Sequence, residues 1–285
     1  MIISAVKNDT IKYQNYFPSI DFEPQNLLVN GSLIFLDSKS INSASIAGDV
    51  LIENLAFNNA LQLIPTGNVN TLNLVLTGNN GGQVQTELTS KNGLHGIYTG
   101  TTNSGERKIE PQSDLKTYLN NNANHDFFIS LSHRITRPIG TTGTSTKATY
   151  SGIFKADYAC LWAFDAVQDL PPAGNTLRKN FDKVGNDTSA NLVYRSMQVG
   201  GGVYTTWIPF AGEFEHFPIW KVGANSNWEP DLSKRRPCHI LYQFYLEDLT
   251  VSGRTFEEVN NIMKSRHNQI HSKGGKYFGD TWTNP

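Results

Sequence analysis

The chain has 285 residues and a formal net charge of −1, and only 17% of its residues are charged. That length can bury a core without a metal or a disulfide, and the near-zero charge excludes a long-range pull on nucleic acid. With 38% hydrophobic and 11% aromatic residues it is also too rich in core-formers to be disordered throughout. Gly, Asn, Thr and Ser are abundant, which favours short strands and many turns over a helical bundle. The expected fold class is therefore all-β: an antiparallel β-sandwich or jelly roll with an extended N-terminal arm and a short C-terminal helix.

In chain order, residues 1–25 read as the arm. Tyr13, Tyr16, Phe17, Ile20 and Phe22 are too apolar for a free tail, and Pro18 and Pro24 interrupt any regular element. An extended segment laid over the domain or a neighbouring subunit would hide these rings, so Tyr13, Tyr16, Phe17 and Phe22 are candidate subunit contacts. The start lacks the basic region and apolar stretch of a secretory signal. No apolar run approaches the roughly 20 residues that cross a bilayer, so no membrane insertion is expected.

Residues 26–285 read as one β-sandwich domain. Leu27 to Val29, the Asn30-Gly31 turn and Leu33 to Leu36 open it as paired extended segments. Ile46 to Ile52 continues the pattern, as does the alternation of Leu72, Leu74 and Leu76 before a Gly- and Asn-rich turn at 78–82. Residues 100–125 and 138–149 are polar and read as loops flanking a compact strand, Phe127 to Ser132. Asp157 to Leu170 fits a helix or a strand equally. Val203 to Phe210 reads as a strand whose Pro209 belongs at an edge or bulge. His239 to Val251 reads as a long strand with Ile240, Tyr242, Phe244 and Leu246 on its core face and a mixed opposite face. Thr255 followed by Glu258 predicts a capping box opening a helix over 255–270, with Val259, Ile262, Met263 and Ile270 as its apolar stripe.

Chemical motifs are sparse. Glu213 and Glu215 would share a face if extended, and Asp248 lies on the long strand, but a solvent face has the same spacing as a hydrolase's carboxylate pair. His216, His239, His267 and His271 are scattered, and the last two read as exposed residues favoured by a helix end; no metal site is expected. No cofactor is expected, although loop oxygens of this fold class have room for a structural calcium ion. Cys160 and Cys238 permit one disulfide and require none. Lys234-Arg235-Arg236 reads as a solvated turn. Sugars are held by stacking on aromatic rings and by planar amides. The span from Trp220 to Trp228, with Asn225 and Asn227 inside it, therefore reads as a loop with candidate glycan-binding residues Trp220, Asn225, Asn227 and Trp228.

The stretch Leu246 to Thr255, the helix behind it, Gly274-Gly275-Lys276-Tyr277-Phe278-Gly279-Asp280 and Thr281-Trp282-Thr283-Asn284-Pro285 together resemble the C-terminal end of structural proteins of tailed-bacteriophage virions. Those proteins resemble lectin- or laminin-G-like, concanavalin-like β-sandwiches. The resemblance implies a virion component assembled in the host cytoplasm: a decoration, fibre-associated or tail-region protein whose partners are copies of itself and other virion proteins. It supplies no catalytic residues. The expected function is a non-enzymatic structural one, with a glycan-binding host-attachment module and a polysaccharide-cleaving enzyme as alternatives.

Overall fold

The computed structural model describes residues 27–41, 49–78, 82–99, 105–138, 149–154, 160–166, 169–186, 189–202, 216–223 and 236–285. The N-terminal arm and the run from Val203 to Phe210 lie outside them. The described residues form an all-β structure of antiparallel sheets with a few short helices and one long C-terminal helix.

The strands in chain order are β1 (Ser32–Asp37), β2 (Val50–Ile52), β3 (Leu74–Gly78), β4 (Val84–Leu88), β5 (Leu94–Tyr98), β6 (Glu106–Pro111), β7 (Phe127–Arg137), β8 (Thr149–Phe154), β9 (Cys160–Asp165), β10 (Arg178–Val184), β11 (Leu192–Val199), β12 (Trp220–Gly223) and β13 (Cys238–Asp248). Helices α1 (Phe57–Leu63) and α2 (Ser113–Asn121) lie between strands, and α3 (Leu249–Ser252) and α4 (Phe256–His271) follow β13.

A seven-stranded sheet runs β10-β11-β7-β13-β5-β4, with β1 also paired to β13. One edge of β13 faces β7, while the other takes β5 at residues 239–241 and β1 at 243–247, so the last strand is the spine of the sheet. A second sheet runs β12-β6-β3-β2, and β8 pairs with β9. Between the layers Phe127, Ile129 and Leu131 of β7 and Leu241, Phe244 and Leu246 of β13 share one core with Leu74, Leu76, Ile109, Trp162 and Phe164. Each such side chain contributes roughly 1.5–3 kcal/mol through its removal from water. Where β5 comes against β12, a Cβ on Gly96 would stand 2.7 Å from both the Trp220 ring and Val222, so only glycine permits that approach.

Register is where the structure departs from simple alternation. In β13, Leu241 pairs with His133 and Gln243 with Ser132, which leaves Tyr242 as an extra residue in a bulge. The bulge flips the pleat: Leu241, Phe244 and Leu246 face the inner core, whereas Ile240, Tyr242 and Tyr245 belong to clusters on the outer face. The expected set Ile240, Tyr242, Phe244 and Leu246 is thus split between faces. Neither face is solvated, since all of β13 is buried.

The outer face is covered by α4 and the chain after it. Phe256, Val259 and Met263 pack on Phe128 and Tyr245, and Ile270 and Tyr277 pack on Ile240 and Tyr242. The helix starts at the expected cap: Glu258 N–H donates to Thr255 Oγ1 at 3.3 Å, and Thr255 N–H donates to Glu258 Oε2 at 2.7 Å.

The span 100–125, expected as loop, contains β6 and α2. The inward positions of β6 are Arg107, Ile109 and Pro111, an alternation that a charge and a proline disguise, and α2 buries only Leu115 and Leu119. The ambiguous 157–170 span carries β9, whose buried residues on both faces erase any period. Arg236 is buried and donates to the Gly223 carbonyl, so it does not belong to a solvated turn. Cys160 and Cys238 are buried thiols that are not joined in a disulfide.

Candidate functional site

The C-terminal segment builds a solvent-facing polar cleft. Helix α4 ends at His271, Gly274 turns the chain at a φ of +88°, and the Tyr277 N–H returns to the Ile270 carbonyl at 2.9 Å. The reversal drives the Tyr277 hydroxyl onto Asp37 at 2.5 Å and Ser38 at 2.9 Å, just beyond the end of β1. Lys276 pairs with the same carboxylate, Gln243 donates to it at 2.5 Å and Arg266 stands 3.6 Å away. Burial alone would push the Asp37 carboxyl up, but the charge and hydrogen bond of Lys276, helped by Tyr277 and Gln243, hold it below its ordinary value.

Above this anchor a cavity of about 470 Å³ is lined by Arg266, Gln269, Ser272, Lys273, Gly274 and Lys276 among others. Asp37 neutralises part of the floor, and Lys273 is exposed at the rim. The helix end presents carbonyls, which disfavour an anion. The three lining cations exceed the one Asp37 carboxylate, and with the Gln269 amide they suit a carboxylate, sulfate or phosphate group. Sequence reasoning missed this cleft because Arg266, Lys273 and Lys276 converge only after the Gly274-Gly275 turn.

Elsewhere the polar groups are tied into the scaffold. Asp248 accepts from Tyr118 at 2.8 Å, shares a 2.7 Å contact with His125 Nδ1 and caps α3 through the Val251 N–H. It is wholly buried and serves as a joint between α2, α3 and β13, not as half of an open carboxylate pair. Glu247 is likewise buried, bound by Arg254 and by the Tyr245 hydroxyl at 2.6 Å. His95 links Glu87 at 2.9 Å to Thr136 at 2.8 Å. Glu87 also accepts from the N–H and hydroxyl of Thr283, which makes this chain a strut between β4, β5, β7 and the C-terminal tail.

Trp220 stands on strand β12 and is fully buried, with its ring 5.7 Å from that of His239, so it is not the loop-rim stacking residue that its spacing from Trp228 suggests. Asn225, Asn227 and Trp228 lie outside the described residues, as do Tyr13, Tyr16, Phe17, Phe22, Glu213 and Glu215. His133, His239 and His267 are interior rather than exposed. His133 and His239 face each other across 6.0 Å with Tyr150 packed against both, and burial pushes His239 down to about 3 and His133 well below its ordinary value. His267 is buried on the inner side of α4 and His271 partly so. Among the described residues no three His, Cys, Asp or Glu side chains gather as a metal site, and no helix is long and apolar enough to cross a membrane.

No protein-family model matches the chain, and no curated protein matches it either. A solved structure, the binding domain of botulinum neurotoxin serotype D/C VPI 5993, is similar with a TM-score of 0.40 and 10% identity. The match covers 82% of this chain and 52% of that one, so the chain spans about half the length of its structural neighbour. The fold defines the class as an antiparallel all-β sandwich closed by a C-terminal helix.

Proposed function

We propose that the chain is a non-enzymatic structural component of a phage virion that acts through contacts with copies of itself and with other virion proteins. The virion part rests on the resemblance of its C-terminal residues. The observation that carries the contact role is the cationic cleft at the end of α4, where exposed Lys273 faces an acidic segment of a neighbour above Arg266 and Lys276, whose side chains are both buried and share the single carboxylate of Asp37. Asp248, Glu247 and His95 support a non-catalytic reading because each is occupied in joining elements of the scaffold. A decoration, fibre-associated or tail-region position fits equally.

Lys273→Glu reverses the charge at the exposed rim without touching the core. Incorporation into reconstituted particles, or self-association followed by sedimentation, is expected to fall at least tenfold with the melting temperature unchanged; unaltered assembly would remove the cleft from the reading. The second reading, a host-attachment module, is favoured by the same cleft if its occupant is an acidic glycan. Binding on a glycan array confined to carboxylated or sulfated sugars and lost in the same variant would establish it. Linear product release from a polysaccharide would overturn both.

A further inference from the structure

We propose that α4 and the tail behind it form an acid-released latch over the outer face of the seven-stranded sheet, with His267 and His271 as its trigger. The two imidazoles lie one turn apart on the buried side of α4, their ring centroids 5.0 Å from each other. Both meet the same hydroxyl: Ser132 Oγ is 2.8 Å from His267 Nδ1 and 3.3 Å from His271 Nε2. The hydroxyl can donate its one hydrogen to one ring and accept from the other while both are neutral, whereas with both rings protonated neither nitrogen could accept that hydrogen.

The surroundings give a proton on either ring little to pair with. From β7 comes Arg134, and from α4 itself Arg266. The side chain of Tyr194 on β11 lies 5.4 Å from His267, and that of Tyr242 on β13 lies 4.5 Å from His271. After the Gly274-Gly275 turn come Lys276 and Tyr277, the latter stacked on His271 at 5.7 Å. The carboxylate facing His271 is Asp37, shared by Lys276, Tyr277, Gln243 and Arg266; Asp280 lies on the Tyr242 hydroxyl and also accepts from Thr89 and Ser90, and Asp182 of β10 is taken by Lys264 and Asn260 of α4. Two imidazolium ions 5 Å apart would thus add to Arg134, Arg266 and Lys276 in a layer that already spends its anions.

Burial, with Arg134 and for His271 also its neighbour, holds His267 down to about 4 and His271 down to about 3, against 6.5 for a free imidazole. A lowered value means that the released segment binds the protons, so the latch holds fully above the free value and weakens as pH falls below it. Uptake of two protons on release makes the opening equilibrium rise about 100-fold between pH 7.5 and pH 5.5.

Hydrogen exchange of the α4 amides, corrected for the intrinsic pH dependence of exchange, reads this equilibrium directly. The expected result is an opening constant for residues 256–271 that rises about 100-fold over that range, at a free energy below that of the β7 amides. The double variant His267→Asn/His271→Gln keeps neutral hydrogen-bonding groups and is expected to flatten the dependence to within about threefold. An α4 opening constant that changes less than about threefold in the unaltered protein would overturn the latch, as would exchange of α4 and β7 through one common opening, or a double variant that retains the pH dependence. Should the double variant fail to fold, the comparison of α4 with β7 in the unaltered protein decides alone.

Discussion

Asn54 bridges the first sheet to the approach of the second. Its side-chain oxygen accepts the N–H groups of Phe35 and Ala56, and its amide donates to the carbonyls of Leu33 and Leu72, so one buried residue ties β1 to the stretch before β3. Replacement by Ala leaves four backbone groups without these partners, at an expected cost on the order of 3 kcal/mol in urea denaturation. A loss under about 0.5 kcal/mol would mean that water takes over the bonds. Thr255 is the opposite case in legibility, since its spacing to Glu258 announced the capping box. Thr255→Ala is expected to lose about 0.5–2 kcal/mol by the same measurement. No comparable pattern marks Asn54: its partners are backbone atoms brought to it by tertiary packing.

At the scale of elements, β13 and α4 are held together by Arg254 in the linker between α3 and α4. Its guanidinium reaches Glu247 at 2.9 Å from Nε, contacts the Tyr245 hydroxyl at 3.1 Å and bonds the Leu27 carbonyl at 3.2 Å. Although burial opposes its charge, the Glu247 bond and charge raise its affinity for the proton. Arg254→Met strands a wholly buried carboxylate, and the expected loss is about 3–5 kcal/mol, with part of it recovered when Glu247→Gln is added. An additive double-mutant cycle would show that the pair is not coupled. The strand itself was plain in the sequence from Ile240, Tyr242, Phe244 and Leu246, but its facing was not. A bulge costs no recognisable residue, and Tyr242 suits either face until the partner strand β7 and the helix above it decide.

For the molecule as a whole, the interior histidines set the response to acid. His133, His239, His267 and His271 are all driven to lower values by burial, so the unfolded chain binds more protons and stability falls as pH drops below about 6.5. Asp37, Glu87, Glu110 and Asp182, each held down by cationic or hydrogen-bonding partners that outweigh burial, add their losses below the ordinary carboxylate range. Glu53, raised by burial, works the other way: its contribution is present in acid and lost as pH rises. The net expectation for calorimetry is a melting temperature that falls steadily from pH 6.5 to pH 4, and a flat profile would show that the histidines are not buried as described. Composition, turn chemistry and the Thr255 cap were enough to determine an all-β chain closed by a helix, because these are local properties of the backbone and of neighbouring residues. Which residues face each other was decided only by tertiary structure. The β13 bulge, the burial of Trp220 and of His267 with His271, and the convergence of Arg266, Lys273 and Lys276 on one cleft all depend on contacts between strands and helix far apart in the chain, which no local pattern encodes.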